Sequence, residues 1–160
     1  MCIPTDGTEI VILAPIETIS NNGIAQVWRA NDGYIYKHSI PFLTENEFFF
    51  LSTLSSTGYT PHAERVDKYT IKMQDLGKSE GIINLPNFIA KCHNFLNALG
   101  NYGIIHGDLT APHIIIKNNH PYIIDWAESR LFCERRENKR PGTDAEWLQK
   151  FIRNTVKDVE

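Results

Sequence analysis

The sequence predicts an α+β chain, with a β-rich first half and a mainly helical second half. Two observations carry this. Residues 24–38 combine period-two apolar alternation with an Asn-Asp-Gly turn. Apolar residues then recur at helical spacing across 85–100 and again after Thr143. Strand-like and helix-like stretches are segregated along the chain. With 160 residues, 42% of them hydrophobic, the chain is long enough for one domain, or two small lobes sharing a core, without metal or disulfide staples.

The elements follow in order. GTEIVILAPI reads as one or two strand pieces. IAQVWRA (24–30) alternates as a half-buried strand does, and NDG (31–33) supplies the left-handed positions of a hairpin turn before YIYKH returns. Thr44 and Glu47 have capping-box spacing, which predicts a helix starting there. Its inner face is Glu47, Phe50, Leu51 and Leu54, and Gly58 and Pro61 close it. AERVDKY and TIKMQDL read as two more strands, and GKSEG (77–81) as a linker between halves. LPNFIAKCHNFLNALG is the clearest helix, with Phe88, Ile89, Cys92, Phe95, Leu96 and Leu99 on one face, Pro86 in its first turn and Gly100 at its end. Two short apolar β-branched strands flank the loops of IIHGDLTAPHIIIKNNHPYIIDWAES. A second capping box, Thr143 and Glu146, starts a last helix with Trp147, Leu148, Phe151, Ile152 and Val156 on its face.

Composition excludes several function classes. A net charge of -3 argues against a dedicated nucleic-acid binder, so no direct nucleic-acid partner is expected. Cys2, Cys92 and Cys133 are scattered and odd in number, which supports neither a disulfide framework nor a zinc site and suits a reducing compartment. No apolar run is long enough to span a membrane, and the N-terminus lacks the pattern of a secretory signal. The expected location is cytoplasmic, with translocation into a host cell left open.

The chemistry concentrates in His106-Gly107-Asp108-Leu109 and in Asp125, seventeen positions further on and directly after an apolar triplet. Phosphoryl transfer needs two kinds of carboxylate. One accepts or orients the proton of the attacking hydroxyl, and the other holds a divalent cation against the nucleotide phosphates. A hairpin of short strands, with a carboxylate on each flanking loop, presents both to one substrate.

These residues resemble the protein-kinase superfamily. HGDLTAPHIII looks like its catalytic loop and IIDWAES like its metal-binding segment. The HGD form is similar to that of RIO kinases, of the small kinase of the tRNA-threonylcarbamoyl complex and of aminoglycoside phosphotransferases. The resemblance implies a minimal two-lobed kinase-like fold. It forms a single domain over 1–160, with an N-lobe over about 1–76 and a truncated C-lobe over about 77–160. It implies Asp108 as catalytic base, Asp125 as metal ligand and His106 as a brace behind the loop. Lys37 would pair with the nucleotide phosphates and Glu47 would orient it, with Glu45 as the competitor. Gly23, in ISNNGIAQV, would mark the phosphate-covering turn, its alternative being a plain turn. KMQDLG would be the hinge, with Met73 behind the adenine and the backbone of Gln74 and Leu76 along its edge. A strand running into a loop explains that segment equally well. The implied cofactors are ATP and Mg²⁺ or Mn²⁺.

The chain departs from the family pattern at four places. His113 stands where the family has Asn. An imidazole suits transition metals better than magnesium, so three outcomes are open: Mn²⁺ ligation, a one-metal site, or nucleotide binding without turnover. Gly107 replaces an Arg that reads loop phosphorylation, so activity independent of such phosphorylation is expected. Thr110 replaces a Lys near the transferred phosphate, leaving Arg130 or Lys117 as substitutes. Trp126 and Ala127 replace the last two residues of the metal-binding segment, and Trp126 is expected to pack between the lobes. Asp144 is read either as part of an activation-segment end or as the aspartate that supports the catalytic loop. The RRENKR run (135–140) is read as a solvated surface, with docking of an acidic partner as the minority reading.

The resulting expectation is a Ser/Thr protein kinase acting on a protein substrate or partner subunit. The alternatives are a nucleotide-binding pseudokinase and a small-molecule kinase. A kinase domain of roughly 250 residues lies at the upper end of domain sizes. Against that, 160 residues lead us to expect that the substrate-binding helices are absent.

Overall fold

A computed structural model describes residues 2–5, 9–12, 14–134 and 137–159. Arg135 and Arg136 of the basic run lie outside the described residues. The first half is built on a five-stranded antiparallel sheet of order β3-β4-β5-β7-β6. Its strands are β3 (Pro15–Asn21), β4 (Gln26–Ala30), β5 (Tyr34–His38), β6 (Ala63–Asp67) and β7 (Thr70–Gln74). Two short strands, β1 (Cys2–Thr5) and β2 (Glu9–Ile12), pair with each other ahead of it. The β4–β5 hairpin is the one read from NDG. Asp32 Oδ1 accepts from the Tyr34 N–H at 3.0 Å, and Gly33 takes φ +84°, which the turn requires and a side chain would resist.

Helix α1 (Pro41–Thr53) corrects one expectation. It starts three residues before Thr44, because Pro41 presets the helical φ at the first position. Thr44 and Glu47 therefore form no capping box. The Thr44 hydroxyl donates to the Tyr69 carbonyl at 3.1 Å, and Glu47 is turned inward, 2% exposed. The expected inner face of this helix is otherwise the observed one: Phe50, Leu51 and Leu54 are all buried.

In the second half, α2 (Leu85–Tyr102) runs past Gly100 and stops at Gly103 instead. Gly103 adopts φ +65° and closes the helix as a left-handed cap. The start is held by Asn84, whose side chain accepts from the Asn87 N–H at 3.1 Å. Next come β8 (Ile104–Ile105), the antiparallel hairpin β9 (Ile114–Lys117) and β10 (His120–Ile123), and β11 (Arg130–Leu131), which pairs with β8. Asn118 and Asn119, at φ +51° and +60°, make the tight hairpin turn. Helix α3 (Asp144–Val159) does begin at a Thr143 cap: the Glu146 N–H donates to the Thr143 hydroxyl oxygen at 3.1 Å.

The segment read as a linker between halves is tied to the hairpin. The Ile116 N–H donates to Ser79 Oγ at 2.8 Å and the Glu80 N–H to the Ile116 carbonyl at 2.8 Å. One hydrophobic core then runs through both halves, from Phe50 and Ile71 through Phe88, Phe95 and Trp126 to Leu148. Burial of each such side chain contributes about 1.5–3 kcal/mol. This shared core fixes β5 and α1 against the loops that flank β9 and β10.

Candidate functional site

Seven of the site residues expected from sequence line one cleft of about 630 Å³: Lys37, Glu47, Met73, Gln74, Leu76, His113 and Asp125, while Gly23 and Asp108 are not among its lining residues. Strand β5 carries Lys37, whose Nζ lies 2.9 Å from Glu47 Oε1 and 3.1 Å from Asp125 Oδ1. Burial alone would lower the Lys37 pKa, but the charges of Glu47 and Asp125 outweigh it and raise it, so the ammonium stays charged. Glu45 is exposed and takes no part in this pair. The second oxygen of Glu47 accepts from the Trp126 N–H at 2.9 Å.

Asp125 follows β10 with φ +63°, a left-handed conformation that Asp tolerates better than most residues. Burial opposes its charge, yet the hydrogen bond from His113 and the charge of Lys37 hold its pKa well below the usual carboxylate range. His113 Nε2 lies 2.9 Å from Asp125 Oδ2, and His113 Nδ1 lies 2.8 Å from the Asp108 carbonyl. Burial lowers the His113 pKa, but its bonds to Asp125 and Asp108 prevail and raise it.

Asp108 sits on the loop between β8 and β9, 5% exposed. His106 braces that loop. Its Nε2 meets the Ile124 carbonyl at 2.9 Å, its Nδ1 accepts from the Asp108 N–H at 3.1 Å, and its ring stands edge-on to Trp126. Desolvation lowers the His106 pKa, in keeping with a neutral structural imidazole. Of the two readings of Asp144, the geometry selects the loop support: its carboxylate accepts from His106 N–H at 2.8 Å and Gly107 N–H at 3.0 Å. Trp126 is fully buried against Phe50 of α1 and Phe95 of α2.

Ligand atoms of Asp108, His113 and Asp125 lie within 4.8 Å of one another. Two carboxylates and an imidazole form a donor set that fits a divalent cation, with the nitrogen favouring Mn²⁺ relative to an all-oxygen site. At the other end of the cleft, Met73, Gln74 and Leu76 line the wall where β7 runs out. The Gln74 N–H is already bound to the His62 carbonyl at 2.8 Å and is not available to a ligand edge. Gly23, at φ +84°, makes the β3–β4 turn together with Asn21 and Asn22. Asn22 Oδ1 accepts from Ile24 and Ala25 N–H, and Asn22, Ile24 and Ala25 line the cleft.

Three further residues escaped the sequence reading. Arg140 Nε donates to Asp108 Oδ1 at 2.5 Å, and Lys139 Nζ lies 3.6 Å from Asp108 Oδ2. Their part of the basic run stays exposed at the surface, as expected, but lies beside Asp108, with the Arg140 N–H anchored on the Gly107 carbonyl at 3.1 Å. Arg130 and Lys117 are engaged elsewhere, Arg130 with Asn138 and the Glu134 carbonyl, Lys117 with Glu80. Asn46 of α1 donates to the carbonyls of Ala127 (2.8 Å) and Ser129 (2.9 Å), clamping the stretch after Asp125. A basic pair and an Asn on a helix carry no spacing that would have marked them.

A β-rich half bearing a buried Lys–Glu pair, joined to a helical half whose loops carry Asp108 and Asp125 close together, is the arrangement of a protein-kinase-like fold. Among solved structures, 546 chains match it. One of them, the crystal structure of the Rio2 kinase from Chaetomium thermophilum, superposes with a TM-score of 0.66 at 14% sequence identity, over 88% of this chain and 58% of that one. This chain thus spans under two thirds of that kinase's length. No family model matches the sequence, and no curated protein does. No helix among the described residues is long and apolar enough to cross a membrane.

Proposed function

We propose that the chain is an ATP-dependent phosphotransferase, a minimal atypical Ser/Thr protein kinase that moves the γ-phosphoryl group of ATP to a protein hydroxyl. The observation that carries the reading is the charged, buried Lys37 held between Glu47 and Asp125, in a cleft also lined by His113, which is bonded to the Asp108 carbonyl. The division into two lobes is placed near residue 76.

The residues fit ATP. The cleft is within the range of small-ligand sites, roughly 300–1,000 Å³. Lys37 offers a permanent positive charge to phosphates, and Glu47 keeps its ammonium aimed. Met73, Gln74 and Leu76 would form the wall against adenine. The turn at Gly23 would cover the phosphates. Asp125 and His113 would hold the metal, which when bound offsets phosphate charge. Asp108 would accept the proton of the acceptor hydroxyl. A protein acceptor is favoured over a small molecule because the described chain between β10 and α3 holds no helix that would enclose one.

The test is label transfer from γ-radiolabelled ATP to a general protein acceptor, with Mg²⁺ or Mn²⁺. Transfer is expected, with Mn²⁺ supporting at least as much as Mg²⁺. Absence of transfer, with metal-dependent nucleotide binding retained, would replace this reading by a nucleotide-binding regulatory module.

A further inference from the structure

Four lysine or arginine side chains line the cleft: Arg29, Lys37, Lys78 and Lys139. Arg29 is bound to Asp75 and Glu17, and Lys37 to Glu47 and Asp125. Lys139 is the one set beside Asp108. Its Nζ lies between two carboxylates, 3.0 Å from Glu128 Oε2 and 3.6 Å from Asp108 Oδ2. We propose that Lys139 binds the terminal phosphate of ATP, supplying from the loop before α3 the cation that Thr110 does not supply from the catalytic loop. The inference rests on the kinase reading above.

Two observations favour it. First, the backbone around Lys139 is fixed. The Arg140 N–H is bound to the Gly107 carbonyl at 3.1 Å, and the Asn138 side chain accepts from Arg130 Nε and donates to the Gly142 carbonyl, both at 3.0 Å. Asn138 also packs on Gly107, its side chain 3.5 Å from where a Cβ would stand, and Gly107 has φ +85°. Second, the present partner of Lys139 is exchangeable. The Lys139 and Glu128 side chains are 45% and 51% exposed. Exposed ion pairs of this kind contribute little and yield readily to a multiply charged phosphate. Proximity to Asp108, which faces the acceptor, puts Lys139 at the phosphate end of the cleft, away from Met73.

The test compares binding of ADP and of a non-hydrolysable ATP analogue to the full chain by calorimetry in Mn²⁺. Lys139→Ala is expected to weaken the ATP analogue roughly tenfold, the scale of one charge-assisted hydrogen bond, with ADP nearly unaffected. Lys139→Arg should restore most of the loss. An equal change for both nucleotides, or none, would overturn the assignment while leaving the kinase reading standing. A wild-type chain that binds neither nucleotide would overturn both.

Discussion

The Trp126 N–H donates to Glu47 Oε2 over 2.9 Å, while Glu47 Oε1 holds Lys37 at the same distance. One buried carboxylate on α1 therefore ties the lysine of β5 to the residue that follows Asp125. Removing it leaves a buried cation short of one partner and a buried N–H with none.

Glu47→Ala should be strongly destabilising. Breaking a buried pair from one side costs about 3–5 kcal/mol, and because Lys37 keeps Asp125 the lower end is expected. In a chain of this length that is a melting-temperature drop of roughly 6–12 °C, readable by calorimetry. Glu47→Gln, which retains an acceptor for Trp126, should lose less. Equal melting of wild type and Glu47→Ala would remove Glu47 from this role.

Replacing His113 by Asn exchanges an imidazole nitrogen for an amide oxygen. The preference of the Asp108–His113–Asp125 group should then move from Mn²⁺ toward Mg²⁺. Titrating each ion against the melting temperature, with ATP present, reads this directly. An unchanged ratio of the two responses would place His113 outside the metal site.

Asp75 carries a pH dependence of known sign. Its hydrogen bond from Arg29, at 2.5 Å, is the main cause that lowers its pKa below the ordinary 3.8. A depressed carboxylate stabilises the fold above its unfolded pKa and loses that contribution as pH falls through its folded value. The stability gap between wild type and Asp75→Asn should therefore be constant from about pH 5 to 7 and shrink below about pH 4. A gap that widens in acid would contradict the assignment.

The two cysteines with described side chains should differ sharply in reactivity. Burial pushes the Cys92 thiol up to about 12, whereas Cys133 is exposed. Iodoacetamide at mildly alkaline pH should modify Cys133 in the native protein and Cys92 only after unfolding, as resolved by peptide mapping. Native-state labelling of Cys92 would mean that α2 opens.

Much of the fold was legible because its signals are local. Period-two alternation, the NDG turn and the helical spacing of Phe88, Cys92, Phe95 and Leu99 each need only neighbours in sequence. The errors were local signals overruled by others. The Thr44–Glu47 spacing imitates a capping box, but Pro41 begins the helix earlier and frees Glu47 to meet Lys37. Gly100 looked like a helix end, but Gly103 alone takes the left-handed cap. The grouping of Lys37, Glu47, His113 and Asp125 was legible through the resemblance of its motifs. Lys139 and Arg140 were not, because their meeting with Asp108 depends on how the loop before α3 packs on Gly107, a contact between residues far apart in sequence.

The central claim is that Asp108 and Asp125 divide the work of one phosphoryl-transfer site. The most direct measurement is transfer from γ-radiolabelled ATP by wild type, Asp108→Asn and Asp125→Asn, with nucleotide binding followed in parallel. Asp108→Asn should keep metal-dependent ATP binding and lose transfer by at least about a hundredfold, the scale of general-base catalysis. Asp125→Asn should lose the metal dependence of binding and transfer together. Equal transfer by all three proteins would contradict the account.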